Sequence, residues 1–271
     1  MRYCTTLTIA GSDCSGGAGI QADIKTMSAL GCYASSVVTA ITAQNTLGVY
    51  AIQHVKPSII AAQLRVVMED IRPDAIKVGM IVDGETIEVI TDILQQYKHI
   101  PLIVDPVMVS SSGSKLIEEN AIAIFLKRLV PITTLLTPNI PEIEVLANTK
   151  PISLTDFELA AQRLLNINCN AVLIKGGHRE ESNKVDYLFR KEHPPISFSS
   201  PTVETHNTHG TGCTLSSAIT AFMARGLTLE KAIQRAKEYL TQALKAGAGI
   251  TIGQGHGAVN HFYNPKKIIK Q

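Results

Sequence analysis

The sequence predicts an α/β protein of three layers (α/β/α), in which helices cover both faces of a mostly parallel central sheet. Short apolar runs rich in β-branched residues alternate with longer segments of helical period along the chain. Several of these runs, such as Leu102-Ile103-Val104, are apolar on both faces, which is typical of parallel strands buried between two helical layers. No linker, low-complexity tract or repeat of fixed period interrupts this order, so we expect residues 1–271 to form a single domain.

The predicted elements follow one another as repeated strand–helix units. Strands are expected at residues 6–10, 36–42, 75–79, 102–105, 134–137 and 171–175. Helices are expected at residues 18–30, 57–71, 85–97, 118–129, 140–147, 156–165, 212–225 and 229–246. The last helix has an apolar face formed by Ile233, Ala236, Leu240 and Ala243, as a helical period requires.

Residues 186–201 depart from this alternation. Tyr187-Leu188-Phe189 and Ile196-Ser197-Phe198 are typical of two antiparallel strands, and His193-Pro194-Pro195 is the expected connection between them. This hairpin and the glycine-rich segment after the first strand are the two candidates for a lid over a binding site.

The composition excludes several classes of protein. Hydrophobic residues make up 45% of the 271 residues and charged residues 18%, a balance that disordered chains lack. The net charge of +2 argues against a general nucleic-acid binder, which carries a strong basic excess. No apolar run approaches the ~18 residues of a membrane helix. The apolar stretch at residues 7–10 is too short and too rich in threonine nearby for a secretory signal.

The cysteines favour a reducing compartment. Their number is odd and no Cys-x-x-Cys spacing occurs, so neither a disulfide framework nor a zinc site is expected. We therefore expect a cytoplasmic protein. The five cysteines are Cys4, Cys14, Cys32, Cys169 and Cys213.

Glycine or a polar side chain follows every predicted strand of the parallel set. The carboxyl ends of parallel strands form the edge at which open α/β sheets bind ligands. Loops of any kind favour such residues, but their repetition at every strand end favours a ligand-binding edge. The segments are Gly11-Ser12-Asp13, Gln44-Asn45, Gly79-Met80, Asp105-Pro106, Pro138-Asn139 and Lys175-Gly176-Gly177-His178.

The glycine cluster after the first strand, residues 11–19, matches no complete nucleotide-binding motif. A phosphate-binding P-loop needs a lysine where Gly17 stands. The spacing Gly17-x-Gly19-x-x-Ala22 resembles a dinucleotide fingerprint, but Thr42-Ala43-Gln44 supplies no acidic residue for the ribose. The sequence therefore disfavours a nicotinamide oxidoreductase and leaves a loop whose backbone can approach a small ligand closely.

Residues 208–214, Thr-His-Gly-Thr-Gly-Cys-Thr, run into an apolar helix and form the strongest local signal. Gly210 and Gly212 at the start of a helix leave backbone amides unpaired, and with the helix dipole these form an anion hole. Cys213 is expected in the first helical turn, where the dipole lowers the pKa of a thiol. The alternative is that Cys213 is a small buried hydrophobe, as most free cysteines are.

The segment Asn139-Ile140-Pro141-Glu142 has two interpretations. Asn139 suits a helix N-cap, Pro141 suits the first turn, and the helix dipole favours Glu142 there, so capping alone accounts for the motif. The other interpretation is a carboxylate that holds Mg²⁺ beside substrate phosphates, with Asp105 as a second carboxylate. Lys175, directly after an apolar strand, would then join a phosphoryl-transfer site, although a surface salt bridge is its alternative role.

Together these motifs resemble the ribokinase-like kinases, and most closely the hydroxymethylpyrimidine/phosphomethylpyrimidine kinases of thiamine biosynthesis. Asn139-x-x-Glu142 and Gly210-Thr-Gly-Cys213 resemble the two signature motifs of the superfamily. Further matching segments extend from residue 7 to about residue 225. They are Ile9-Ala-Gly-Ser-Asp, Ser15-Gly-Gly-Ala-Gly-Ile-Gln-Ala-Asp-Ile-Lys-Thr, Thr39-Ala-Ile-Thr-Ala-Gln-Asn-Thr, Val104-Asp-Pro-Val-Met, Thr137-Pro-Asn, Lys175-Gly-Gly-His and Thr208-His-Gly-Thr-Gly-Cys-Thr-Leu-Ser-Ser-Ala-Ile.

The resemblance implies a ribokinase-like fold and specific roles for individual residues. Gln44 would hydrogen-bond the aminopyrimidine edge, since an amide carries both donor and acceptor. Cys213, where most of the superfamily has aspartate, would activate or orient the hydroxymethyl group. Gly11, Ala18, Met80 and Val107 would line the pyrimidine pocket; Asp105, Asn139, Glu142 and Lys175 would attend Mg²⁺ and the ATP phosphates; and Gly210, Thr211 and Gly212 would cradle the transferring phosphoryl group.

The implied activity is ATP- and Mg²⁺-dependent phosphorylation of 4-amino-5-hydroxymethyl-2-methylpyrimidine and then of its monophosphate. A small molecule is the expected partner, and the resemblance implies a homodimer. Two alternatives stay open: a pyridoxal or pyridoxine kinase of the same superfamily, which Gln44 disfavours, and a non-catalytic pyrimidine-sensing module. Cys14 stands where this family often has serine, a change that could affect loop closure but not the reaction.

Overall fold

The computed structural model describes residues 1–109, 116–176 and 182–270. The described strands form one sheet in the order β3-β2-β1-β4-β5-β6-β7-β8-β9. From β2 to β7 neighbouring strands run parallel, while β3 at one edge and β8 and β9 at the other run antiparallel to their neighbours. The strands are β1 (Thr5–Asp13), β2 (Tyr33–Asn45), β3 (Gly48–His54), β4 (Ala75–Val78), β5 (Leu102–Val104), β6 (Leu135–Leu136), β7 (Ala171–Ile174), β8 (Asn183–Arg190) and β9 (His193–Pro201).

Helices cover both faces of this sheet. Their bounds are α1 (Gly19–Ala29), α2 (Pro57–Asp70), α3 (Gly84–Leu94), α4 (Glu119–Ile124), α5 (Ile140–Ala147), α6 (Leu154–Asn166), α7 (Thr211–Ala224) and α8 (Leu229–Gly247). One apolar core joins α2 to α6 to one face, and a second core joins α1, α7 and α8 to the other. The three-layer prediction is confirmed.

The strand β5 shows why the central strands are apolar on both faces. Leu102 and Val104 belong to the core under α2 to α6, whereas Ile103 belongs to the core under α1, α7 and α8. Successive side chains of a strand point to opposite faces, so a strand between two helical layers needs apolar residues at every position. None of the three residues is more than slightly exposed.

The structure extends the first two strands beyond their predicted ends. Gly11-Ser12-Asp13 was expected to follow the first strand, but it lies within β1, because Ser12 and Asp13 continue the pairing with β2. Gln44 and Asn45 likewise belong to β2, which continues into a hairpin with β3 that the sequence analysis did not predict. Asn45 Oδ1 closes the hairpin by accepting hydrogen bonds from the Leu47 and Gly48 amides.

The hairpin of residues 186–201 is confirmed, but its turn was wrongly placed. Arg190 pairs with His193, so Lys191 and Glu192 form the turn and His193-Pro194-Pro195 begins β9. Glu192 has a left-handed φ of 59°, which suits a tight turn. The prolines are tolerated because β9 is an edge strand and has few ladder hydrogen bonds to donate.

The helices begin and end close to their predicted bounds, with one exception. Residues 118–129 were expected to form one α-helix, but α4 ends at Ile124 and a π-helix continues over Phe125–Leu129. Within the described residues, the chain has no helix with the length and apolar content that a membrane span requires.

Candidate active site

A cavity of about 780 Å³ lies at the carboxyl ends of the parallel strands, beside the first turn of α7. Its lining comes from the ends of β1, β2, β4, β5 and β7 and from the segments that follow them, as expected of an open parallel sheet. The cavity brings together every candidate residue of the sequence analysis. They are Gly11, Ala18, Gln44, Met80, Asp105, Val107, Asn139, Glu142, Lys175, Gly210, Thr211, Gly212 and Cys213.

The start of α7 presents unpaired backbone amides to this cavity. Gly210 precedes the helix with a left-handed φ of 76°, and its carbonyl accepts the first helical hydrogen bond, from the Thr214 amide at 2.8 Å. Across residues 1–109, 116–176 and 182–270, no protein acceptor pairs with the amides of Gly212 and Cys213. Because the positive end of the helix dipole lies at the same place, this geometry suits an anion.

The glycine loop of residues 13–18 packs directly against this helix start. A Cβ on Gly210 would lie 1.9 Å from the Gly17 carbonyl oxygen, and a Cβ on Gly17 would lie 2.3 Å from His209 Cδ2. Any larger side chain at either position would therefore separate the two loops. The glycines allow an approach that no other residue permits.

Asp13 joins these two loops and is a site residue that the sequence patterns did not predict. Its Oδ2 accepts hydrogen bonds from the Gly17 and Ala18 amides at 3.1 and 2.7 Å and lies 2.9 Å from His209 Nε2. Burial acts to raise the pKa of Asp13, but hydrogen bonds from His209, Ser15 and Gln44 outweigh burial and hold the pKa well below its usual range. A carboxylate among glycines at a strand end was the available signal.

Cys213 lies in the first turn of α7, as predicted, but the expected lowering of its thiol pKa is wrong. Removal of the thiol from water raises the pKa to about 11. Lys77 and the Gly19 amide act in the opposite direction, and the charges of Asp23 and Asp105 add to the effect of burial. The dipole of one helix is too small an influence to offset burial beside two carboxylates. Cys213 is therefore a protonated thiol near neutral pH.

Asp105, Glu142 and Lys175 form a buried charge cluster beside the anion hole. Lys175 Nζ donates to Asp105 Oδ1 at 2.7 Å and lies 3.9 Å from Glu142 Oε2. Asp105 also accepts hydrogen bonds from Thr137 Oγ1 and Ser216 Oγ, both at 3.2 Å. The ion pair considered for Lys175 is thus present, but it lines the cavity and does not lie on the surface. A Cβ on Gly212 would lie 3.5 Å from Lys175 Nζ, so the ammonium borders the hole.

Asn139 and Glu142 form a reciprocal capping box at the start of α5. The Asn139 side chain accepts from the Glu142 amide, and Glu142 Oε2 accepts from the Asn139 amide, both at 2.8 Å. The capping interpretation is therefore confirmed. Burial raises the pKa of Glu142 to about 7, with Lys175 opposing the shift and Asp105 adding to it. Because burial makes the negative charge of this carboxylate unfavourable, Glu142 is well suited to bind a cation that arrives with substrate phosphates.

The other end of the cavity is suited to a small heterocycle. A Cβ on Gly11 would lie 3.1 Å from the Met80 sulfur, so glycine at this position leaves room in the pocket. The Gln44 side chain hydrogen-bonds the Asp13 carboxylate, and its backbone amide lies 3.3 Å from Cys14 Sγ. Of the segment that follows β7, Gly177 and His178 lie outside the described residues.

Comparison with known proteins identifies the family. The family model described as "Phosphomethylpyrimidine kinase" matches residues 13–260 of this chain. The chain belongs to the phosphomethylpyrimidine kinase family. The resemblance inferred from the motifs is therefore confirmed, and the protein is a kinase.

The relatives of this kinase cover nearly its whole length. The hydroxymethylpyrimidine/phosphomethylpyrimidine kinase of Escherichia coli is 43% identical over 265 residues, which are 97% of this chain and 99% of the relative. That of Bacillus subtilis is 40% identical over 262 residues, 97% of this chain and 96% of the relative. A thiamine biosynthesis bifunctional protein of Geobacter sulfurreducens is 46% identical over 258 residues, 95% of this chain but 52% of its own length.

Solved structures of similar proteins share the fold of this kinase. A phosphomethylpyrimidine kinase of Clostridium difficile is 43% identical, with a TM-score of 0.78 over 89% of this chain and 99% of that chain. The Bacillus subtilis pyridoxal kinase in its ADP complex is 32% identical, with a TM-score of 0.88 over 96% of this chain and 98% of that chain. The Staphylococcus aureus pyridoxal kinase in complex with AMP-PCP is 30% identical, also with a TM-score of 0.88, over 99% of this chain and 97% of that chain.

Replacing Gly210 by alanine should lower the kcat of this kinase by more than the accompanying loss of folding stability can explain. The new Cβ would collide with the Gly17 carbonyl oxygen and displace the amides of the hole. Loss of one such donor typically lowers kcat by about 10²–10³-fold. Steady-state kinetics and urea unfolding measure the two effects.

Gly226→Ala is the matched control for Gly210→Ala. Gly226 has a similar φ of 83°, but nothing lies within 4 Å of its Cβ position. It should lose about 1–2 kcal/mol of stability from the left-handed backbone alone and keep its kcat. An equal fall of kcat in both variants would show that the contact with Gly17 does not shape the site.

Proposed function

We propose that this kinase transfers the γ-phosphoryl group of ATP to 4-amino-5-hydroxymethyl-2-methylpyrimidine, and then to the resulting monophosphate, in thiamine biosynthesis. The observation that carries the proposal is one cavity in which a small pocket beside Gln44 adjoins an anion hole at Cys213. Relatives named for both steps support it, as does the bifunctional thiamine relative.

The pyrimidine would lie at the end of the cavity formed by β1, β2 and β4. Gly11, Ala18, Met80 and Val107 would contact the ring, and Gln44 would recognise its amino edge with amide donor and acceptor groups. ATP would occupy the remaining length of the cavity, where Val203, Leu240 and Leu244 give an apolar lining for the base.

In the first step, the hydroxymethyl oxygen would attack the γ-phosphorus of ATP. The new O–P bond forms as the bond from phosphorus to the bridging β-oxygen breaks, and ADP leaves. The amides of Gly212 and Cys213 would stabilise the charge on the transferring group, as preorganised donors do. Asn139 would keep Glu142 in position, and Lys175 would neutralise phosphate charge.

The hydroxyl proton needs an acceptor, and Cys213, in the first turn of α7 at the anion hole, is the candidate we propose. Its raised pKa means that the thiol must first lose its own proton before it can act as a base. As a thiol it would instead orient the substrate oxygen within the anion hole. Both roles place the side chain at the reacting atom.

Glu142 is the residue that would hold Mg²⁺, together with the ATP phosphates. Magnesium is usually bound by one or two carboxylates plus substrate phosphates, and Asp105 is already engaged by Lys175, Thr137 and Ser216. The ion would neutralise charge on the β- and γ-phosphates when bound.

The chain would act as a single catalytic domain in the cytoplasm, and we propose that it forms a homodimer. The β2–β3 hairpin exposes Ile41, Leu47 and Tyr50, with 55%, 55% and 68% of each residue accessible to solvent. An exposed apolar patch of this kind favours contact with another protein surface.

Phosphorylation of pyridoxal is the second candidate activity. The two pyridoxal kinases compared above superpose well on this chain at 30–32% identity. Pyridoxal carries a hydroxymethyl group on a six-membered heteroaromatic ring and would present it to the same anion hole.

An assay with three acceptors tests the proposed function. The purified protein with Mg-ATP should release ADP with the pyrimidine alcohol and with its monophosphate, with kcat/KM highest for the pyrimidines. Turnover of pyridoxal alone would reject the pyrimidine assignment. No turnover of any acceptor would favour a sensing module.

Cys213→Ala should impair the first phosphorylation more than the second. The monophosphate attacks through a phosphate oxygen that is largely ionised near neutral pH, since its second pKa is about 6, so it has no proton to lose. Loss of a general base typically costs about 10²–10⁴-fold, and this loss should appear with the alcohol as acceptor. An equal fall of kcat for both acceptors would assign Cys213 to the hole alone.

Glu142→Gln should raise the Mg²⁺ concentration needed for half-maximal activity and lower kcat by about 10²-fold, as loss of one charge-stabilising group does. The pKa of about 7 lies above the ordinary value for glutamate, so the carboxylate gains its charge as pH rises through neutrality. The native Mg²⁺ requirement should therefore fall as pH rises through about 7, beyond any change in the Gln variant. Magnesium titrations of the native protein and of Glu142→Gln at several pH values measure this requirement. An unchanged kcat in Glu142→Gln would contradict the prediction.

A further inference from the structure

A buried ion pair borders the cavity at β4 and shares no hydrogen bond with the cluster around Lys175. Lys77 Nζ contacts both oxygens of Asp23, at 3.0 Å from Oδ1 and 2.8 Å from Oδ2. Neither side chain is exposed to solvent. Lys77 belongs to β4 and Asp23 to α1, so the pair joins the sheet to the helical layer that contains α7.

Neutral hydroxyl groups complete the surroundings of Asp23. Thr8 Oγ1 on β1 donates to Oδ2, and Ser217 Oγ on α7 donates to Oδ1, both at 2.6 Å. Ser217 lies one helical turn after Cys213. Each oxygen of the Asp23 carboxylate therefore accepts one hydrogen bond from Lys77 and one from a hydroxyl group.

The Lys77 ammonium borders the cavity. Lys77 lines it beside Met80 and Cys213, and a Cβ on Gly79 would lie 2.7 Å from Lys77 Nζ. An ammonium has three donors, and in the described part of the chain Asp23 is the acceptor that engages Lys77. Glycine at position 79 thus leaves space for a charge at the point where β4 meets the site.

Cys213 is surrounded by charges of both signs. Lys77 on β4 and Lys175 after β7 carry positive charges, whereas Asp23 on α1 and Asp105 after β5 carry negative charges. Of these, Lys77 has the strongest electrostatic effect on the Cys213 thiol, and it lowers a pKa that burial raises. Burial lowers the pKa of Lys77 itself, but Asp23, Cys213 and Asp105 outweigh burial and raise it, so the ammonium stays charged.

We propose that Lys77, held in place by Asp23, is a positioning residue that supplies the positive charge against which Cys213 forms a thiolate. Fully buried ion pairs contribute little net stability, since desolvation offsets their attraction, so stability alone does not explain this one. The thiol proton passes to solvent and the ammonium keeps its three protons. The proposal rests on the proposed function, and within it on the first of the two roles given for Cys213, in which the thiolate accepts the hydroxymethyl proton.

The pH dependence of Cys213 alkylation tests this proposal without any substrate. Native protein and Lys77→Met react with iodoacetamide over a range of pH, and peptide mass spectrometry reads Cys213 separately from the exposed Cys14. Loss of the ammonium should raise the pH at which Cys213 alkylation reaches half its maximal rate by about one unit or more. At a pH below this midpoint, alkylation should then be slower by about tenfold or more. With the pyrimidine alcohol, kcat should fall and KM should stay the same.

Thr8→Val is the matched control. It removes a hydrogen bond from the same buried network but changes no charge. It should lower the free energy of unfolding and leave the alkylation midpoint of Cys213 where it is. An equal shift in this variant would make the effect structural and overturn the proposal.

Asp23→Asn provides a second test of the proposal, which can be used if Lys77→Met does not fold. It leaves the ammonium beside Cys213 without its counter-ion, so the alkylation midpoint should fall, opposite in sign to Lys77→Met. A midpoint that is unchanged or raised in Asp23→Asn, or unchanged in folded Lys77→Met, would overturn the proposal. Because alkylation needs no turnover, this result is separate from the acceptor assay that tests the proposed function.

Discussion

The carboxylate of Asp13 is the contact on which the arrangement of the site depends. It accepts hydrogen bonds from the amides of Gly17 and Ala18 and contacts His209. These contacts hold the loop after β1 and the loop before α7 together. The two loops meet through Gly17 and Gly210, where no Cβ fits. The anion hole is thus shaped by a segment almost two hundred residues away in sequence, and its amides are fixed before any phosphate arrives.

Charges are buried in balanced groups around this hole. Lys77 pairs with Asp23 on one side, and Lys175 pairs with Asp105 near Glu142 on the other. The first group is close to neutral, whereas the second carries one carboxylate in excess when Glu142 is ionised. Burial then penalises that last negative charge and raises the pKa of Glu142 to about 7. The site is therefore prepared to accept a cation on one side and an anion at the helix start.

Much of the fold and the membership of the site could be predicted from sequence, because both follow from local patterns. Strand apolarity predicts the parallel core, and polar residues at the strand ends predict which side chains share the cavity. The β2–β3 hairpin was missed, although residues 49–52 are apolar, because β3 is an antiparallel edge strand outside the alternation of strands and helices. The role of Asp13 depends on its contact with His209, and the pKa of Cys213 depends on Lys77, Asp23 and Asp105, all of which are distant in sequence. The individual roles of the site residues remain predictions.

Cysteine in place of aspartate at the end of the last motif has a physical consequence. A carboxylate near Lys77 and Lys175 would be ionised and would bring a further negative charge toward the incoming phosphates, whereas a thiol is neutral until it loses a proton. A neutral group suits an enzyme whose second acceptor is itself a phosphate, because charge repulsion in a buried site is strong. The cost is that the first acceptor, an alcohol, needs a base. The thiolate of Cys213 would be that base, and the Lys77 ammonium proposed above would offset its negative charge.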